Sequence, residues 1–340
     1  MGQRHFISAG AGSGKTHRLT EILHRELADG RAHPAGVIAT TFTRRAASEL
    51  RERVRQHLLA QGEFALANAM GEARIGTVNA VCGEIIQRFA FEAGLPPEQR
   101  VLDERQAELL VREAVDAVTD ADRLQRLLGA GNRLGIWRDE WQKMLREIMQ
   151  RARVNDIGAA TLATFGERNA ADLLAVWPGA CAEDLDAALA AALPPVIAAF
   201  ETALAKKFQK NIDVPAHLMR DVLAGLDSDR LAWSQWLKLG KAADGGGMAA
   251  ALKPVFAPVA AIAARVPGHP RLHEDLRSFL VDLFALAADA LAGYAQRKRA
   301  LGVLDFADQE YLLLGLLDDP HVAATLGEEL DLLLVDEFQD

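Results

Sequence analysis

"AGAGSGKT", residues 9–16, follows the apolar "FIS" of residues 6–8 and leads into a run with apolar positions at helical spacing. It reads as a strand, a glycine-rich turn and a helix start. Gly10, Gly12 and Gly14 permit backbone conformations and close approaches that a side chain would obstruct, so successive N–H groups can turn inward around an anion. The helix N-terminus that follows adds its positive dipole end. In this setting Lys15 supplies a cation for the β- and γ-phosphates of a nucleoside triphosphate, and the Thr16 hydroxyl supplies one ligand of Mg²⁺. The expected nucleotide-binding set is therefore Ala9, Gly10, Ala11, Gly12, Ser13, Gly14, Lys15 and Thr16. One departure from the general G-x-x-x-x-G-K-S/T pattern is Ala9, which stands where the first glycine would.

Working outward, "RHFIS", "GVIATTF" and "ARIGT" alternate with amphipathic helical runs, the βαβα rhythm of a parallel sheet. The first helix is expected from Lys15 to about Asp29, closed by Gly30. The third runs through "VNAVCGEIIQRFAFEAG" to Gly94. From Asp103 onward Ala and Leu dominate at helical spacing and alternating strands disappear, which predicts an all-helical insertion. Trp137 and Trp141, four apart, are expected on one helix and in the core. The last forty residues return to the earlier style, with a helix "DFADQEYLLLGLL" and a terminal strand "LLLVDE" whose apolar residues 332–335 suit a central strand covered on both faces. The expected division is 1–102 for the first part of the α/β core, 103–300 for the insertion and 301–340 for the return segment.

The carboxyl edge of an open parallel sheet is where ligands bind. Asp336 emerges there and is expected to hold Mg²⁺ with Thr16, while Glu337 is placed to orient and deprotonate an attacking water. Thr41, Phe42 and Thr43 lie at another strand end, beside a helix carrying Arg44, Arg45, Arg51, Arg53 and Arg55 against Glu49 and Glu52. A hydroxyl and aromatic lip beside a basic helix suits single-stranded nucleic acid, with phosphates on the cations and a base on the exposed ring. Thr77 and Asn79 repeat that arrangement, with helix capping as the alternative.

The ordered set "AGAGSGKT", "TFTRRAASELRERV", "IGTVNAVC", "LDFADQE" and "LLLVDEFQD" resembles the amino-terminal half of a UvrD-like superfamily 1 DNA helicase, and "FAFEAGL" with the helical insertion is similar to the RecB and AddA branch. The resemblance implies a RecA-like P-loop NTPase sheet, incomplete in this chain, with a large all-helical insertion. It also implies an ATP- and Mg²⁺-dependent 3′–5′ motor of recombination and double-strand-break repair, acting on single-stranded DNA and on single-strand/duplex junctions. The implied protein partner is a second helicase-nuclease subunit. By position the resemblance carries ATP binding and catalysis onto Lys15, Glu337 and Gln339. DNA contact falls on Thr41, Phe42, Thr43, Arg44, Arg45, Thr77 and Asn79; Arg44-Arg45 and Asn79 differ from the family's usual Asn-Lys and His.

The motifs that the family places after its acidic box are absent up to Asp340, including the arginines that complete the ATP site. Removing such an arginine costs roughly 10³ to 10⁵ in rate. The expectation is a motor cut short before its second domain, which binds ATP and hydrolyses it poorly. The alternative is a non-catalytic ATP- or single-strand-binding half-motor that needs a partner chain.

Composition sets the remaining bounds. Half of the 340 residues are hydrophobic, a quarter are charged, and the net charge of −9 argues against a uniformly basic coat for nucleic acid. Cys82 and Cys181 are the only cysteines, too few for a disulfide framework or a zinc site, so a reducing compartment is expected. The longest apolar-leaning stretch, "MAAALKPVFAPVAAIAARV", is broken by Lys253, Pro254 and Pro258, so no membrane span and a cytoplasmic location are expected.

Overall fold

The computed structural model describes residues 5–6, 15–96, 98–117, 121–137, 139–226, 231–244 and 247–338, with the side chains of Lys15 and Thr16 outside that description. The chain divides into two compact units, 1–107 with 298–340, and 108–297.

The first unit is built on β1 (Val37–Thr41), five consecutive buried residues. Continuous burial is the signature of a strand with neighbours on both sides and packing on both faces. It pairs in parallel with β2 (Arg74–Thr77) on one side and with the last strand on the other. A separate bridge joins β3 (Arg100–Val101) to β4 (Val303–Leu304), again in parallel, extended by the Leu102 N–H donating to the Leu304 carbonyl at 2.7 Å. Sequence reading missed this pair, because two residues give no periodicity. It brings the two ends of the inserted segment together. The final strand, β5 (Leu332–Val335), completes the order β2-β1-β5.

Helices pack on the two faces. The Lys15–Ala28 helix buries Leu19, Leu23 and Leu27, spaced four apart on one stripe, against Leu50, Val54 and Leu58 of the Arg44–Ala60 helix. Gly30 at φ +70° ends the first of these, as expected, because an L side chain resists that conformation. The Val78–Arg88 helix buries Val81, Ile85 and Ile86 with Ile38 and Leu316 on the opposite face. It is shorter than expected: it stops at Arg88, and the backbone turns from Phe89 to Gly94, which has φ +67°. The expected strand "RHFIS" lies mostly outside the described residues.

β5 departs from the expectation of a strand covered on both faces. Its exposure alternates, and Leu333 retains 53% of its surface. Among the described residues β5 has a strand only on its β1 side, and nothing described covers Leu333 and Val335.

The second unit is helical, with no strand among its described residues. Its core gathers Leu189, Leu193 and Phe200 of the Leu185–Lys206 helix, Met219, Trp236 and Phe256, all fully buried. Two segments, Leu185–Lys206 and Ala250–Leu301, are long and apolar enough to cross a membrane by composition. The first buries Leu185, Leu189, Leu193, Val196, Ile197 and Phe200 in this core. Trp137 is a second correction: it precedes the Glu140–Val154 helix and is 77% exposed, so only Trp141 is helical.

β5 is anchored at its start by a carboxylate. The Asp331 backbone N–H donates to the Gly36 carbonyl at 2.9 Å, and Asp331 Oδ2 accepts the His33 backbone N–H at 2.8 Å and faces His33 Nδ1 at 3.1 Å. These His33 contacts, the backbone one first, hold the Asp331 carboxyl below its ordinary value. A lowered carboxylate contributes stability above the unfolded pKa, about 3.9, and loses it as pH falls through the folded value. In acid titrations of stability, the advantage of the wild type over Asp331→Asn is expected to shrink below about pH 4. An advantage constant across that range would contradict the anchor.

Candidate functional site

The register brings the strand ends level. Thr41 of β1 lies opposite Thr77 of β2, and Thr40 opposite Val335 of β5, with the Asp336 N–H donating to the Thr40 carbonyl at 2.9 Å. Residues separated by nearly 300 positions therefore share one carboxyl edge.

The threonines do structural work at that edge. Thr41 is buried and its hydroxyl donates to the Thr43 carbonyl at 3.1 Å; Thr43 Oγ1 caps the Arg44–Ala60 helix by accepting the Ala46 N–H at 3.1 Å. Thr77 Oγ1 caps the Val78–Arg88 helix by accepting the Ala80 N–H at 3.2 Å. Capping satisfies backbone donors that a helix start leaves open. Held between these anchors, Phe42 projects into solvent with 72% of its surface exposed. Of the basic cluster, Arg45 is exposed and pairs with Glu49 at 2.8 Å, which also raises its pKa. Arg51 stays exposed while one of its guanidinium N–H groups donates to the Ile75 carbonyl, so part of its donor capacity serves β2.

A cleft of about 400 Å³ opens here, lined by Phe42, Arg44, Thr77, Asn79, Phe306 and Gln309 among others. Phe306 and Gln309 come from "LDFADQE", and sequence reading assigned neither a role. The available signal was the spacing of Asp305 and Asp308, which form a full capping box around the Phe306–Leu317 helix start. Lys298 tightens that start: its Nζ lies 2.7 Å from Asp305 Oδ2 and 2.6 Å from both Asp308 oxygens, with Lys298 and Asp305 buried.

The acids lie at the neighbouring strand end. The Glu337 N–H donates to Asp336 Oδ1 at 3.1 Å, and Glu337 has φ +54°, a left-handed conformation unusual for a side-chain-bearing residue. Phe338 meets Phe6 edge to face, with ring centroids 6.3 Å apart, which brings Phe6 beside the residue that follows the acids. Ala9, Gly10, Ala11, Gly12, Ser13, Gly14 and Gln339 lie outside the described residues, as do the side chains of Lys15 and Thr16. No group of three or more His, Cys, Asp or Glu able to hold a metal occurs among the described residues. Mg²⁺ on a nucleotide needs no such cage, because one or two carboxylates, phosphate oxygens and water complete its shell. A single carboxylate at the end of β5 fits that requirement.

A parallel sheet with helices on both faces and an acid pair at its carboxyl edge places the chain among α/β proteins with a ligand site at that edge. Its sequence matches the UvrD/REP helicase N-terminal domain over residues 1–215 and 272–340, and the chain belongs to that family. It is 29% identical to the A-subunit of an ATP-dependent helicase/nuclease from Desulforudis audaxviator, over 98% of this chain and 32% of the relative. It is 35% identical to the corresponding subunit of Lactobacillus gasseri over 36% of this chain and 11% of the relative, and 33% identical to the ATP-dependent DNA helicase SRS2 of Saccharomyces cerevisiae over 34% and 9%. The chain thus spans about a third or less of the length of these relatives.

Removing one member of a buried ion cluster leaves uncompensated charge. Lys298→Met is expected to destabilise the first unit by about 3–5 kcal/mol in denaturant titration, with the Asp305 and Asp308 carboxylates repelling one another. A loss below about 1 kcal/mol, the value of an exposed pair, would show that the cluster is solvated.

Proposed function

We propose that the protein is the ATP-binding part of a DNA helicase or translocase, one that moves 3′ to 5′ along single-stranded DNA in recombination and double-strand-break repair. The observation that carries this reading is the convergence of Thr41, Thr77 and Asp336 at one carboxyl edge, which puts the acid pair Asp336–Glu337 at the same edge as the aromatic cleft. Family membership and the helicase names of its relatives support it.

In this reading the backbone from Ala9 to Gly14 cradles the phosphates, and Lys15 neutralises them. Thr16 and Asp336 hold Mg²⁺, which offsets charge on the phosphates. Glu337 accepts the proton of the attacking water, and Gln339 couples the nucleotide to DNA. Phe42 stacks a base, Arg44 and Arg45 meet phosphates, and Thr43, Thr77 and Asn79 shape the path. The proposed partners are single-strand/duplex junctions and a second helicase-nuclease subunit, the latter after the names of the relatives. An intracellular DNA substrate and two free cysteines agree with a cytoplasmic location.

Lys15→Ala is expected to abolish nucleotide binding in a fluorescence titration with an ATP analogue; unchanged affinity would remove the phosphate-loop assignment. Phe42→Ala is expected to weaken binding to a short single strand by about 1–3 kcal/mol at fixed salt, the value of one base–aromatic stack. An unaltered isotherm would move the DNA path away from this cleft.

A further inference from the structure

Two carboxamides line the Phe42 cleft, and each has a buried oxygen without a hydrogen-bond partner: Oδ1 of Asn79 and Oε1 of Gln309. Gln309 is 5% exposed, a degree of burial at which glutamine oxygens are normally satisfied. A buried unpaired acceptor carries a desolvation cost that a leucine of similar size would not. Its surroundings are shaped to hold it. A Cβ built on Gly83 would lie 2.7 Å from Gln309 Nε2, so the bare glycine is what lets the carboxamide lie across the Val78–Arg88 helix. The terminal torsion of a glutamine is broad and close to two-fold, so rotation about it can present the oxygen to the cleft without moving the helix.

The cleft presents exposed aromatic carbon from Phe42 and Phe306, a cation on Arg44 and these two acceptors. A ring with an amino group on its edge, attached to a phosphate chain, matches all three. Unpaired bases in single strands expose such edges, and Asn and Gln pair with adenine through its amino group and the neighbouring ring nitrogen. We propose that Gln309, with Asn79, binds the exocyclic amino group of a nucleobase held in this cleft. The site then favours adenine, cytosine or guanine over thymine, which carries no such amine. The inference rests on the proposed single-strand path and adds to it a chemical preference and a residue for it.

The test compares two oligomers of identical length and backbone at one salt concentration, one of deoxyadenosine and one of purine deoxyriboside, which keeps the stacking ring and lacks the amino group. The wild-type chain is expected to bind the adenine strand about three- to tenfold more tightly. Gln309→Leu is expected to bring that ratio close to one while the melting temperature stays level or rises, since an unpaired buried acceptor is removed. Gly83→Ala pushes the carboxamide aside and is expected to lower the ratio as well. A wild-type ratio of one overturns the inference, as does a ratio that survives in both variants, in which case a buried water satisfies the two oxygens. Failure to bind either strand overturns the single-strand path itself, and is told apart because no ratio can then be measured.

Discussion

Everything at the site depends on β1 being hydrogen-bonded on both sides by parallel neighbours. Parallel pairing fixes direction, so three strands that run the same way deliver their carboxyl ends to one edge. A one-residue slip would send each side chain to the opposite face and move Thr77 and Asp336 out of level with Thr41. Thr41, Thr77 and Asp336 are together because of that constraint and not because of any contact among their own side chains.

The same constraint explains how a large helical unit can be inserted without disturbing the sheet. The chain leaves the first unit after β3 and returns through β4, and these two strands pair with each other. The Lys298, Asp305 and Asp308 cluster then sets the start of the Phe306–Leu317 helix, which supplies two residues of the cleft. The insertion is closed at its base, so the geometry of the cleft is fixed locally. On the other side of β1, Asp331 and the Arg88–Glu329 ion pair tie the approach to β5 to the body of the unit.

Much of this was legible in the residues. Strand and helix periods located β1, β2, β5 and the main helices between them, and Gly30 marked a helix end that has positive φ in the structure. The shorter Val78–Arg88 helix was not legible, because "FAFEAG" continues a helical composition while its backbone turns. Trp137 was misplaced for a similar reason: spacing of four suggests a helix face, but that helix begins only at Glu140. Arg51 is exposed with the rest of the basic cluster, and only its position beside β2 shows that it also serves the Ile75 carbonyl.

By itself the sequence determined the kind of element for most of the α/β core and the chemistry those segments carry: glycines before Lys15, acids after an apolar strand, and a ring between two threonines. Local spacing and side-chain type are sufficient for that. Tertiary structure alone decided that Phe42, Asn79 and Gln309 share one cleft, that β3 and β4 pair, and that β5 has one exposed face. Those facts depend on which strand lies beside which and in what register, and pairing between distant segments leaves no trace in the spacing of either one.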